Sequence, residues 1–314
     1  MGDRDGVVGH SQHREVTAMF EGITNGRVRR SLVVALLALV SSIGGIAAAH
    51  EFWVEAKPYQ LAVGAEVECY LKVGHGADVT VLPRNPARFE RFVIVGPEGE
   101  KALEGTDGKS PAATARLAVP GLYTIGYRSR HSFVDLEAKE FEAYLKEEGL
   151  DHAIEARAAR GESASRGRER YSRCAKALVA VGDSPRSGFD RKLGFPLELV
   201  AEQDPRDVSA AKESSFQLLQ DGKPLKGALI RATRIGSEAT SEFNPAKDRL
   251  ERRSDAEGRV RFPIAPGASW RLNCVVISRV TAAKAATEKS EAPEVEWESL
   301  WASLTFEVPA PKAK

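Results

Sequence analysis

The run Glu66-Val67-Glu68-Cys69-Tyr70-Leu71-Lys72-Val73 alternates along its whole length. Val67, Cys69, Leu71 and Val73 point one way, while Glu66, Glu68 and Lys72 point the other. A period of two over eight residues marks a strand with one buried and one wet face. The same texture fills residues 50–130. A second strand is expected over 89–95, closed by the turn Gly96-Pro97-Glu98-Gly99. Residues 115–119 and 122–128 flank Pro120-Gly121 and read as two strands around a tight turn. Many short strands with frequent turns predict a sandwich.

The pattern then changes. Residues 135–159 are rich in Glu, Ala, Lys and Leu, all good helix formers. Phe141 and Leu145, then Leu150 and Ile154, give apolar positions four apart, with Gly149 separating two short helices. Residues 160–170 are polar, with Glu162 and Glu169 among the arginines, and read as a solvated loop or frayed helix. Residues 174–181 are apolar enough for a strand returning to the first sheet. Beyond Gly182-Asp183-Ser184-Pro185 the text is β again. Strands are expected at 215–219 and 228–233 around Asp221-Gly222, at 259–264 after Asp255-Ala256-Glu257-Gly258, at 270–278, and at 301–308. Residues 279–294 read as a mobile excursion. The resulting expectation is a mainly β protein of two sandwich domains, immunoglobulin-like or transthyretin-like. The first spans 50–190 with a helical insert at about 135–170, the second spans 191–308, and a disordered tail covers 309–314.

Residues 1–49 read differently. Arg27, Arg29 and Arg30 precede an apolar run at 32–46, which ends in Ala47-Ala48-Ala49. A basic cluster, an apolar stretch and small residues make a secretory signal, or an N-terminal anchor if it is not cleaved. Met19 offers a second start within this region. Nothing after Ile46 is long or apolar enough to span a bilayer, so membrane contact is expected only through the leader. Removing residues 1–49 leaves 40 basic and 40 acidic residues. That neutrality argues against nucleic acid as a partner, which requires a basic footprint. The three cysteines, Cys69, Cys174 and Cys274, are too far apart for a zinc knuckle. Their odd number leaves at least one unpaired, and three small core residues is the plainer reading.

The sequence contains no phosphate-binding loop, dinucleotide-binding glycine pattern, nucleophile elbow or His-Glu-x-x-His pair, and no catalytic role is expected. Histidine is scarce: His50, His75, His131 and His152 are those left after the leader. Cleavage after Ala49 makes His50 the first residue, with an α-amine and an imidazole that together can chelate Ni(II), Co(II) or Cu(II). The plainer alternative makes it the first residue of a strand. His75 lies between Gly74 and Gly76, where the backbone can bend and expose the ring as a second metal ligand or a polar turn residue. His131 has basic neighbours that disfavour a cation, and His152 reads as surface. Phe52 and Trp53 read as strand anchors, and Trp297 and Trp301 as packing residues.

Five segments carry a resemblance: His50-Glu51-Phe52-Trp53, residues 82–88, residues 127–130 running into 141–145, residues 171–176, and residues 297–306. Together they resemble the exported bacterial family called domain of unknown function 4198, over nearly all of residues 50–308. The family is associated with nickel or cobalt uptake, and its members begin their mature chains with a His much like His50. The resemblance implies a periplasmic or envelope location, a divalent transition metal as cargo (Ni or Co before Cu), and a membrane metal transporter as partner. One departure stands out. Family members often carry a His in the late strand matching Val275-Val276-Ile277, and this chain has none there; Cys274 is the nearest soft side chain. Residues 215–264 also resemble transthyretin-like β modules, which are mostly structural. The leading expectation is metal binding through His50 and His75. The alternatives are a non-catalytic envelope or adhesion module, and a copper-dependent oxidase with an N-terminal His brace.

Overall fold

Strand β1 (Phe52–Lys57) lies antiparallel to β3 (Glu66–His75), the strand with the clean alternation, in six residue pairs from Phe52–Val73 to Lys57–Glu68. β4 (Asp78–Leu82) and β7 (Ala113–Arg116) complete this small sheet along the other edge of β3. The computed structural model describes residues 51–76, 78–183, 187–207, 213–236, 244, 248–281 and 293–310, all within the compact unit Gly45–Lys314. The expected leader, most of the expected 279–294 excursion and residues 311–314 of the expected tail lie outside the described residues.

The molecule is mainly β, built of open sheets. The largest sheet contains β5 (Phe89–Gly96), β6 (Gly99–Ala102), β8 (Gly121–Ser129), β10 (Gly167–Val181), β14 (Leu229–Arg234), β15 (Arg249–Arg253), β17 (Ala268–Arg279) and β18 (Trp297–Val308). Their order is β15-β14-β17-β18-β10-β8-β5-β6. Short β2 (Gln60–Leu61) and β9 (Ser132–Leu136) pair with the two ends of β10. A third sheet holds β11 (Leu197–Ala201), β12 (Ser214–Gln220), β13 (Lys223–Pro224) and β16 (Arg259–Phe262).

The two small sheets cover different parts of the large one, giving two apolar cores. Val54, Val67, Cys69, Leu71, Ile125 and Val179 close the first. Leu197, Phe216, Leu218, Phe262, Leu272 and Phe306 close the second. β10 serves both: Ala175, Ala177, Val179 and Val181 face the first core, while Leu178 and Ala180 face the second. Its parallel pairing with β18, from Glu169–Trp297 to Ala177–Thr305, joins the two regions in one continuous sheet. On the second face the buried Lys176 ammonium donates to Glu198 at 2.8 Å. Glu198 also accepts backbone N–H bonds from Leu193, Gly194 and Phe195. These bonds supply the multiple partners that a desolvated ion pair requires.

The pairing of consecutive strands differs from the sequence expectation. β7 and β8 flank Pro120-Gly121 but belong to different sheets, since β7 pairs with β3 while β8 pairs with β5 and β10. β12 and β14 are likewise split between sheets.

The helical insert forms α1 (Ala138–Glu147) and α2 (Asp151–Ala159), with Gly149 at φ +64° between them. Although it interrupts the first half of the chain, it packs on strands of the second. Phe141, Tyr144, Leu145, Leu150 and Ala153 meet Val275, Ile277, Trp297 and Trp301. Trp297 and Trp301 are therefore packing residues. Residues 167–170, expected as loop, begin β10 instead, because Arg168 and Arg170 find Glu296 and Glu298 beside β18. Glu169 is buried between the insert and the sheet and accepts hydrogen bonds from Ser299 and Tyr144.

Burial pushes the Glu169 carboxyl up to about 7, against the pull of these two bonds. The unfolded state then loses its proton at lower pH than the folded state, so this group lowers stability as pH rises from 4.5 to about 7. The loss is on the order of 3 kcal/mol. Glu148 also rises to about 7 by burial and adds to the same slope. In urea unfolding between pH 4.5 and 8, Glu169→Gln should flatten this slope, leaving the Glu148 share; a slope equal to that of the parent contradicts the assignment. Burial also raises the thiols of Cys69 (to about 12), Cys174 and Cys274. A thiol reagent should therefore modify none of the three until the protein unfolds; rapid native-state labelling at any of them would contradict this packing.

Candidate functional site

The β1–β3 ladder leads to the site. Its last bond runs from the Gly74 N–H to the Glu51 carbonyl at 3.0 Å. His75 follows at once, ends β3 and is partly exposed. Gly74 has φ +149°, and a Cβ there would collide with the Asp78 carbonyl of the returning strand. Gly76 takes φ +54° in the turn. These two glycines allow the hairpin to close immediately beyond His75. His75 shares the phase of Val67, Cys69, Leu71 and Val73, so it stands at the rim of the first core.

Below that rim the lining is aromatic and cationic. Phe52, opposite Val73, lies 5.1 Å from the Tyr127 ring. The Arg173 guanidinium sits 5.0 Å from the Phe52 centroid and 5.1 Å from that of Tyr171. β1 runs along β10 here, tied through Thr305, whose hydroxyl donates to the Val54 carbonyl at 2.6 Å and lies 3.4 Å from that of Lys176.

The opposite face of β1 enters a buried polar layer absent from the sequence expectation. Arg271 pairs with Glu51 and stacks 4.2 Å from the Trp53 centroid. On the neighbouring strand β14, opposite Asn273, Arg231 bonds Glu148 and the Glu147 carbonyl at the end of α1, and Glu251 at 2.8 Å. Asn273 and Ser303 face one another on β17 and β18, and both are buried without a hydrogen-bond partner. The β texture of residues 50–130 predicted a first strand anchored by Phe52 and Trp53, but nothing local shows that both its faces are covered.

Of the residues singled out in the sequence, His75 alone stands at this rim among the described residues; His50 lies outside them. His131 is 3.7 Å from Glu298, and His152 is 3.0 Å from the Ile277 carbonyl, so each is engaged elsewhere. Cys274 faces the second apolar core with Leu272 and Phe306 and offers no ligand at the rim. Among the described residues, no group of three or more His, Cys, Asp or Glu side chains is placed to hold a metal ion. Within them, the His75 imidazole at the rim has the chemistry of a transition-metal ligand, and Asp78 stands opposite it in the hairpin.

Comparison with known proteins adds a family and little else. No curated protein matches the sequence. Among solved structures, the crystal structure of trypsin activated alpha-2-macroglobulin from Escherichia coli aligns at 10% identity and a TM-score of 0.17. The alignment covers 85% of this chain but only 16% of that one, so this chain spans a small part of it, and the score supports no argument. The model of one protein family matches residues 47–278, which contain β1, the His75 hairpin, the helical insert and β10. The chain belongs to the family described as domain of unknown function (DUF4198).

Proposed function

We propose that this is an exported divalent transition-metal binding protein, an accessory to nickel or cobalt uptake, whose site is made by residues 50 and 75. The observation that carries the reading is the ladder register. Phe52 pairs with Val73, and the Gly74 N–H reaches the Glu51 carbonyl. The proposed chelate needs position 50, the residue before Glu51, to continue this register opposite His75, where a non-hydrogen-bonded pair would bring two side chains of one face within reach of one ion. Removal of the leader after Ala49 adds an α-amine to the two imidazoles. Three neutral nitrogens of this kind suit Ni(II), Co(II) and Cu(II).

The same donor set is a His brace, so copper and oxidase chemistry form a second reading. Two imidazoles and an amine bind Cu(II) more tightly than Ni(II) in the general order of stabilities. Reductant-dependent oxygen consumption by the copper-loaded protein would favour the oxidase; its absence with retained nickel binding favours the uptake role.

Mature protein beginning at His50 should bind one Ni(II) in calorimetric titration. His75→Ala, and separately a Gly-Ser extension before His50, should each weaken binding at least ~10-fold, since each removes a nitrogen ligand or blocks the amine. N-terminal sequencing of the exported form should begin at His50. Unchanged nickel affinity in both variants would reject the site and leave the envelope-module reading.

A further inference from the structure

The helical insert has an apolar core of its own. Phe141, Tyr144, Leu145, Leu150 and Ala153 pack on Val275, Ile277, Trp297 and Trp301, apart from the residues that close the two sandwiches. Opening this contact breaks no strand pairing, so the insert can come free as a unit while the sheets stay folded. Its edge is tied by modest contacts: Arg253 with Asp151 at 2.8 Å, Arg279 with Glu162 at 2.6 Å, and His152 on the Ile277 carbonyl at 3.0 Å.

One buried carboxyl sits inside the contact. Glu169 takes two hydrogen bonds on one oxygen, from Ser299 on β18 and from Tyr144 on α1 at 3.4 Å. Trp301 donates to the same Ser299 hydroxyl at 2.9 Å and stacks on Tyr144, with ring centroids 5.9 Å apart. The elements around Glu169 bring it no counter-charge. α1 offers the Tyr144 phenol, which burial and the Glu169 charge keep protonated; β18 offers Ser299 and Trp297; β9 offers Val134. Arg168 and Arg170, its neighbours on β10, engage Glu296 and Glu298. Among the described residues no cation acts on Glu169. A second carboxyl, Glu148, ends α1. It meets Arg231 on β14, but that cation is shared with Glu251 on β15, while Glu51 on β1 and the adjacent Glu147 oppose the Glu148 charge.

A neutral carboxyl keeps both bonds at Glu169, because its carbonyl oxygen accepts as a carboxylate oxygen does. An ionised one must hold its charge in an aromatic contact without a counter-ion, and lifting the insert lets water solvate it. We propose that the insert is a pH-governed cover: α1 and α2 lie locked on β17 and β18 while Glu169 holds its proton, and loosen ahead of the sheets when that proton is lost. Opening releases a proton between the ordinary carboxyl value of 4.5 and the buried value of about 7, so over that span a rise in pH favours the open form and beyond it the effect levels off. Glu148, raised to about 7 as well, works in the same direction. The cover needs neither position 50 nor His75.

Hydrogen exchange read by mass spectrometry tests this, comparing residues 138–159 with the β10 and β18 ladders at pH 5 and 7.5, after the intrinsic pH dependence of exchange is divided out. The opening constant of the insert should rise at least ~30-fold across this range, with the ladders unchanged. Glu169→Gln, neutral and of the same shape, should cut that rise at least ~10-fold. An insert that keeps constant protection in the parent protein would overturn the proposal, and this result stands even if the variant fails to fold. So would insert and ladders loosening together, or an undiminished rise in Glu169→Gln.

Discussion

A strand buried on both faces must satisfy two cores at once, and β10 is that strand. Its odd positions, Ala175 to Val181, close the first sandwich, and Leu178 and Ala180 close the second. Small residues on the first face leave room for β1 to lie against it, and the parallel ladder with β18 sets both halves in one sheet. Three of the charged positions that this double burial traps are engaged, while the buried Ser172 hydroxyl has no hydrogen-bond partner. Lys176 meets Glu198, Glu169 meets Ser299 and Tyr144, and Arg170 meets Glu298. A break at β10 would therefore expose apolar surface from both cores and strand several desolvated charges.

The rim site inherits its position from this arrangement. β10 and β18 seat β1 through Thr305 and Val54; β1 sets the register of β3; β3 ends in His75. The glycines around His75 then turn the chain back without displacing the ring. β1 is also held from its other face, where Trp53 and Glu51 clasp Arg271. With both faces engaged, β1 cannot slip by one residue, since a slip would put Glu51 in the first core and Phe52 in the polar layer. Glu51 and Phe52 are thus placed by the body of the protein.

Much of this was legible in the sequence. The alternation at 66–73 gave β3, the Ala- and Glu-rich stretch with Gly149 gave both helices, and the glycines beside His75 marked a bend. The sheet partners were not legible. The residues on either side of Pro120-Gly121 look like a hairpin and are split across the sandwich, because burial against distant strands outweighs the local turn. The basic run at 160–170 reads as solvated, yet its last residues form β10, because their acidic partners lie 128 residues away. The lining of the rim was hidden for the same reason. Phe52, Tyr127 and Arg173 are far apart in the chain, and only the packing of β1 on β8 and β10 brings them together. Nor could alternation reveal that Arg231 and Arg271 would be buried, since an Arg on the polar phase of a strand ordinarily faces water.

The central proposal is that residues 50 and 75 are ligands of a single ion, the second of them held at the end of β3 by the β1–β3 register. Pulsed electron paramagnetic resonance of mature protein loaded with one Cu(II) as a probe, its histidines labelled with nitrogen-15, counts the imidazoles directly. The account predicts two coordinated imidazoles in the parent protein and one in His75→Ala. A single imidazole in both, or two that survive the loss of His75, would contradict it.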